Sequence, residues 1–288
     1  MSFQFDVARS QQYTTNVQLL LQQKGSRLRN AVSQGSYTGK AAKAVEQIGA
    51  VTAQARTTRH GDTPMISTPH AARWVFPTDY EWADLIDDQD KLQSLIDPTS
   101  PYAQNGALAL GRAIDGLVIA AALGTSKVGE NGSTDQTFPS GQQVGAASSG
   151  MTIQKLRRAK FLMKRNEVDP TDELYLALTA RQLDDLLGTT EVTSADYNTV
   201  KALVQGDIDT FMGFKFIQTE LLGVDGSNNR RCFAWAKSGL HLGTWNDITT
   251  RISERDDKSY ATQVYVKGTF GATRVEEGKV VEVLCTEA

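Results

Sequence analysis

Residues that carry chemistry are scarce in this chain. Its 288 residues include two cysteines and three histidines. Cys232 and Cys285 stand far apart in apolar, strand-like runs. That spacing excludes a clustered thiolate metal site. It reads as two buried free thiols rather than a disulfide, which fits a reducing cytoplasm. His60, His70 and His241 are flanked by turn or strand signals, and no two have metal-ligand spacing. GxSxG, Walker A and HExxH patterns are absent. The glycines between Gly124 and Gly150 have no Lys-Ser/Thr after them, so they read as loop glycines and not as a phosphate cradle. No uninterrupted apolar run reaches the ~18 residues expected of a membrane span, because Arg112 and Asp115 break the best candidate. The N-terminal MSFQFDVARS lacks a basic region followed by an apolar core, so no secretion signal is expected. The net charge of −3 supplies no global attraction to nucleic acid. These absences predict no enzyme, no cofactor, no metal and no membrane.

What the chain does have is one long helical signal at residues 100–124. Ser100 fits the N-cap, Pro101 the first helical position, and Gly124 the position past the end. Leu110, Ile114, Leu117, Val118 and Ala121 form one apolar stripe. A helix of that length is a rod of about 35 Å, a spine with no catalytic side chain on it. Leu110, Ile114, Leu117 and Val118 are its expected core residues.

Around the spine the pattern alternates between strand and helix, an α+β composition. Residues 1–35 are polar and Gln-rich and read as an arm outside the core; residues 36–50 read as a hinge. Thr52–Thr58 and Ile66–Phe76 look extended on either side of turn chemistry at residues 60–64, a long two-stranded excursion. Such a hairpin is marginal alone in water, so it is expected to lean on another subunit. A helix is expected from about Asp79 to Ile96, with Asp79 as its cap and Pro98 after it. Residues 124–150 read as loop, and 152–165 as a basic amphipathic helix. A short α/β stretch follows over about 170–230: a strand at Leu174–Leu178, two helices closed by Gly188 and Gly206, and a strand at Phe211–Thr219. From Arg231 onward the pattern is β, with Val264, Val266 and Gly268 alternating against Tyr265, Lys267 and Thr269.

Two charged features stand out. Lys155, Arg157, Arg158, Lys160, Lys164 and Arg165 lie on one helix and could track phosphates without reading sequence. Ile153, Leu156 and Met163 are expected to hold its other face against the spine. Arg56, Arg59 and Arg73 make the hairpin basic, while Glu254, Asp256 and Asp257 make a turn between two strands acidic. A contact between the hairpin of one subunit and this turn on a neighbour is expected. Asp87, Asp88 and Asp90 read as a solvated acidic face.

The order of elements then becomes informative: arm, β excursion, helix, spine, basic helix, inserted α/β part, returning strands. Local phrases accompany it, including Arg73-Trp74-Val75-Phe76-Pro77 and Leu110-Gly111-Arg112-Ala113-Ile114-Asp115. Others are Trp245-Asn246-Asp247-Ile248 and Gly271-Ala272-Thr273-Arg274. Together they resemble the major capsid proteins of tailed bacteriophages, with the Hong Kong ninety-seven type of shell fold. The resemblance implies an N-terminal arm at 1–45 and an extended loop at 46–78. It implies a peripheral domain from 79–170 (spine 101–123) and 231–288, and an axial domain at 171–230. It further implies self-assembly into pentamers and hexamers of an icosahedral shell, located in the virion after assembly in the host cytoplasm. Partners would be packaged double-stranded DNA, bound non-specifically, a portal and a separate scaffolding protein. Some relatives weld subunits through a loop lysine, but 46–78 contains none. The nearest alternative is an encapsulin-like compartment around a cargo enzyme. A hydrolase built on His60 or His241 is the alternative of another class.

Overall fold

In a computed structural model, residues 22–59, 65–86, 99–188 and 210–287 are described. The turn at 60–64 with His60, the acidic residues Asp87, Asp88 and Asp90, and the helix expected to end at Gly206 lie outside them.

The architecture is mixed α and β, with three sheets and a spine helix packed on one of them. The spine, α1 (Thr99–Leu123), runs for 25 residues. It begins at Thr99, so Ser100 and Pro101 lie within the helix and Ser100 is not its cap. It ends as expected, with the Gly124 amide donating to Ala120 O at 2.8 Å. Leu110, Ile114 and Val118 are buried, in a row continued by Ala122, whereas Leu117 is half-buried. Pro101–Leu123 is long and apolar enough to cross a membrane by length and composition. Here it is packed on protein, against β4 (Thr78–Ile86), β12 (Leu240–Arg255) and β13 (Ala261–Arg274). Close approach requires Gly106: a Cβ there would stand 2.5 Å from the Trp82 ring.

The sheet beneath the spine has the order β1-β12-β13-β4, with β1 at Ser33–Ser36. β4 overturns the helix expected from Asp79. Trp82, Leu85 and Ile86 mimic helical spacing, but β13 pairs with the whole segment, from Thr78 opposite Phe270 to Ile86 opposite Thr262. Tertiary pairing outweighs the local pattern. Asp79 caps nothing; it accepts from Thr269 Oγ1 at 2.6 Å.

A second sheet has the order β2-β3-β5-β6, from Ala42–Ile48, His70–Val75, Ser126–Val128 and Thr134–Gln136. The hairpin is therefore paired at its root, by 42–48 with 70–75, and not along 52–58. The expected hinge at 36–50 is largely strand, and the expected loop at 124–150 supplies two strands of this sheet and β7 (Gln143–Val144).

The third sheet runs β7-β14-β11-β8-β10-β9. Its other strands are β8 (Leu174–Leu178), β9 (Thr210–Phe211), β10 (Phe214–Gln218), β11 (Asn229–Ala236) and β14 (Val280–Thr286). Gly213, at φ +83°, makes the turn that divides the single strand expected at 211–219. The basic helix α2 (Ile153–Arg165) packs on β14 and β7, not on the spine, and α3 (Ala180–Leu187) follows β8. Residues 171–230 thus make no sheet of their own, because β8 pairs with β11 and β11 with β14. Cys232 and Cys285 are free and buried on those last two strands.

One buried cluster runs from Ile114 and Val118 through Leu28, Ala31 and Val32 to Phe233, Trp235 and Leu176. Leu28, Ala31 and Val32, expected to belong to an arm outside the core, are buried in it. Their spacing is too irregular to read as an amphipathic element, yet Trp235 Nε1 donates to Ala31 O at 2.9 Å.

Candidate functional site: charged surfaces and the hairpin root

The basic helix sorts its six cations by position. Its buried face is Lys155, Leu156, Ala159, Leu162 and Met163. Lys155 is 5% exposed, and its Nζ donates to Ser149 O, Gly150 O and Leu284 O at 2.7–2.9 Å. Burial pulls its pKa down. Lys155 therefore braces a loop and a strand end and cannot meet an outside partner. Lys160 is half-buried and donates to Met212 O, holding the β9–β10 turn. Arg157, Arg158, Lys164 and Arg165 are exposed on one face around Phe161, itself 51% exposed. Arg158 lies 5.1 Å from that ring, a cation–π contact.

Of the hairpin cations, Arg56 and Arg59 are exposed as expected. Arg73 is not: on inward-facing β3 it is 8% exposed and pairs with Glu277 at 2.7 Å in the same chain. Glu277 also stands 3.7 Å from Arg274, which is fully buried. Arg274 Nη1 donates to Ala122 O and Gly124 O at 3.0 and 2.8 Å. A cation thus caps the negative end of the spine dipole, and the hairpin root is tied to that end through one glutamate. Sequence reasoning missed this cap, although Arg274 closes one of the quoted phrases.

The acidic turn is the far tip of the long β12–β13 ribbon. Asp256–Lys258 form its bend, and Ser259 and Tyr260 take positive φ. Asp257 is held by the Arg255 guanidinium at 2.6–2.7 Å, which lowers its pKa. Glu254 and Asp256 are exposed and carry no ion pair among the described residues.

His241 is 7% exposed on β12. Ser33 Oγ donates to Leu240 O at 2.8 Å, so it accepts from Nδ1–H at 2.9 Å, and Nε2 accepts from Tyr37 O–H at 2.8 Å. Both ring nitrogens are held by hydroxyls and neither by a carboxylate. The serine proton is already committed, so this is a pin between β1 and β12 and not a hydrolytic pair. Burial lowers the His241 pKa. Among the described residues no group of three or more His, Cys, Asp or Glu is placed to hold a metal ion.

A sequence model of the phage capsid protein family matches residues 6–287. The chain belongs to that family. The match favours a shell protein over the cargo-compartment and hydrolase alternatives. No curated protein matches the sequence. Solved structures supply the likeness of fold. The capsid of the cyanophage P-SCSP1u is 16% identical, with a TM-score of 0.77 over 98% of this chain and 94% of that one. Mycobacterium phage Che8 is 15% identical, with a TM-score of 0.71 over 97% and 98%. The capsid of Ralstonia phage GP4 is 10% identical, with a TM-score of 0.73 over 100% and 98%. The chain is a major capsid protein, a structural protein that assembles with itself into the shell of the virion. The working parts of this capsid protein are accordingly surfaces. The charged face of α2, the arginines beyond the hairpin root and the acidic ribbon tip all lie outside its core.

Proposed function

We propose that this capsid protein closes an icosahedral shell as pentamers and hexamers, with the hairpin of each subunit lying on a neighbour. The observation that carries this is the apolar surface along the hairpin. Ile48 is 69% exposed, Val51 53%, Ile66 44% and Met65 fully exposed. Apolar surface of that extent on an outlying strand pair is stabilised when another chain covers it. Arg56 and Arg59 on the hairpin would meet Glu254 and Asp256 on the neighbour's ribbon tip. Arg73 and Asp257 take no part, since partners in their own chain hold them. The hairpin with its root, residues 42–75, is the extended loop. The spine with the β1-β12-β13-β4 sheet forms the peripheral domain, and the six-stranded sheet with α2 and α3 the axial one. A portal and a separate scaffolding protein complete the assembly. Purified protein should sediment as capsomers or closed particles, visible by electron microscopy. A compact 31.4 kDa monomer under all conditions would overturn the reading.

Arg157, Arg158, Lys164 and Arg165 face the lumen in this proposal and compensate phosphates of packaged double-stranded DNA. No base-reading side chains accompany them, so the interaction is blind to sequence and weakens steeply with salt. Replacing all four by Gln should leave empty shells intact and lower the salt-sensitive retention of DNA in filled ones. Loss of the empty shells instead would make this face an interface between subunits.

A further inference from the structure

The spine makes its extended contacts with β13, β12 and β4, on one side only. Toward the six-stranded sheet the intervening space is filled by residues 22–32, whose Leu28, Ala31 and Val32 sit in the shared core. The polar bonds of this strap are distributed in a particular way. Asp115, in the middle of the spine, is fully buried. Its carboxylate accepts from Gln23 Nε2, Ser26 Oγ, Arg27 N at 2.9 Å and Leu28 N at 3.0 Å. Arg112 donates to Gln22 Oε1 at 2.6 Å, and Gln22 Nε2 donates to Asn105 Oδ1 at 3.1 Å. Gly111 lets the backbones touch: a Cβ there would stand 2.7 Å from Gly25. The same strap residues also reach the other way. Gln23 Oε1 accepts from Thr219 Oγ1 at 3.4 Å, and Arg27 Nη1 donates to Gln218 O, both at the end of β10.

We propose that residues 22–28 are a clasp that couples the spine to the six-stranded sheet, with Asp115 as its positioning residue. Asp115 touches nothing on β10. It holds Gln23 and Arg27 in place, and those two reach the end of β10. An aspartate fully buried on the spine has a reason in this arrangement: four converging donors need one anion, and an unpaired buried carboxylate would be strongly unfavourable. The clasp is a property of a single subunit and is tested there, apart from the assembly proposed above.

The test is hydrogen exchange on the full-length protein and two variants. Asp115→Asn keeps the shape and places donors against donors. Exchange should rise about ten-fold at 22–32 and also at 214–219, while 262–274 stays protected. A rise confined to 22–32, or one spread evenly over the chain, overturns the coupling. The double variant Gln23→Ala, Arg27→Met removes the bonds to β10 and keeps the backbone bonds to Asp115. It should raise exchange at 214–219 with little change at 262–274. If 214–219 is unmoved in that variant, the clasp reading fails whether or not Asp115→Asn folds. Neither outcome depends on shell formation, so failure here leaves the assembly proposal standing.

Discussion

Lys155 and His241 mark how far single residues could be interpreted from sequence. Lys155 falls in line with Leu156, Ala159, Leu162 and Met163, so the helical period alone places it on the buried face. Its positive charge grouped it with Arg157 and Arg158 instead. What no periodicity contains is the three carbonyls that converge on it, because Leu284 O arrives from the far end of the chain. His241 is the converse: a buried ring read as a remote catalytic candidate turns out to be a neutral pin. Because burial lowers its pKa, the folded state favours the neutral ring and the unfolded chain binds the proton more readily. Its contribution to stability is fully present above the unfolded value near 6.5 and is lost as pH falls from there toward the lower folded value. Thermal unfolding of the wild type should therefore show a slope over this interval that His241→Gln flattens. An equal slope in both proteins would mean that other groups carry the acid sensitivity.

At the scale of elements, the spine was legible and β4 was not, for one reason. The spine's 25 residues repeat a single period long enough for local pattern to prevail. β4 has nine residues, and Trp82, Leu85 and Ile86 fit a helix face as well as a strand with one bulky outlier. Which one forms depends on β13, about 180 residues later, and on the cross-strand bond from Tyr265 O–H to Glu81 at 2.9 Å. β13 was readable because its alternation persists through its 14 residues. The spine's apolar stripe is also uneven in a way that sequence could not grade. Ile114 is fully buried, whereas Leu117 is only half-buried. Ile114→Ala should cost about 2–5 kcal/mol in chemical denaturation, and Leu117→Ala clearly less. Equal losses would place the helix in a different rotation about its axis.

For the whole molecule, the element order pointed to the right family, while the domain boundaries did not follow from it. A boundary near residue 171 or 230 cuts the six-stranded sheet, whose strands come from before and after both points. Only non-local pairing reveals that, and no compositional shift marks it. The expected contact between subunits illustrates the same limit. Of six charged residues, sequence could not tell that Glu277 had already taken Arg73, or Arg255 had taken Asp257. The four that remain, Arg56, Arg59, Glu254 and Asp256, are exposed. Each exposed pair is worth only about 0–1 kcal/mol, so one contact would barely register in a dimer. A closed shell repeats the contact in every subunit, and the terms act together on assembly. Arg59→Glu should therefore leave the subunit folded, with unchanged unfolding, while lowering the yield of particles. Asp256→Lys should do the same alone and restore part of the yield when combined with Arg59→Glu. The corresponding swap, Asp257→Lys, should rescue less, because the new lysine would first have to face Arg255, the former partner of the aspartate. If no combination restores assembly, the hairpin meets some other surface of the neighbour, and the apolar residues along it, not the arginines, determine where it docks.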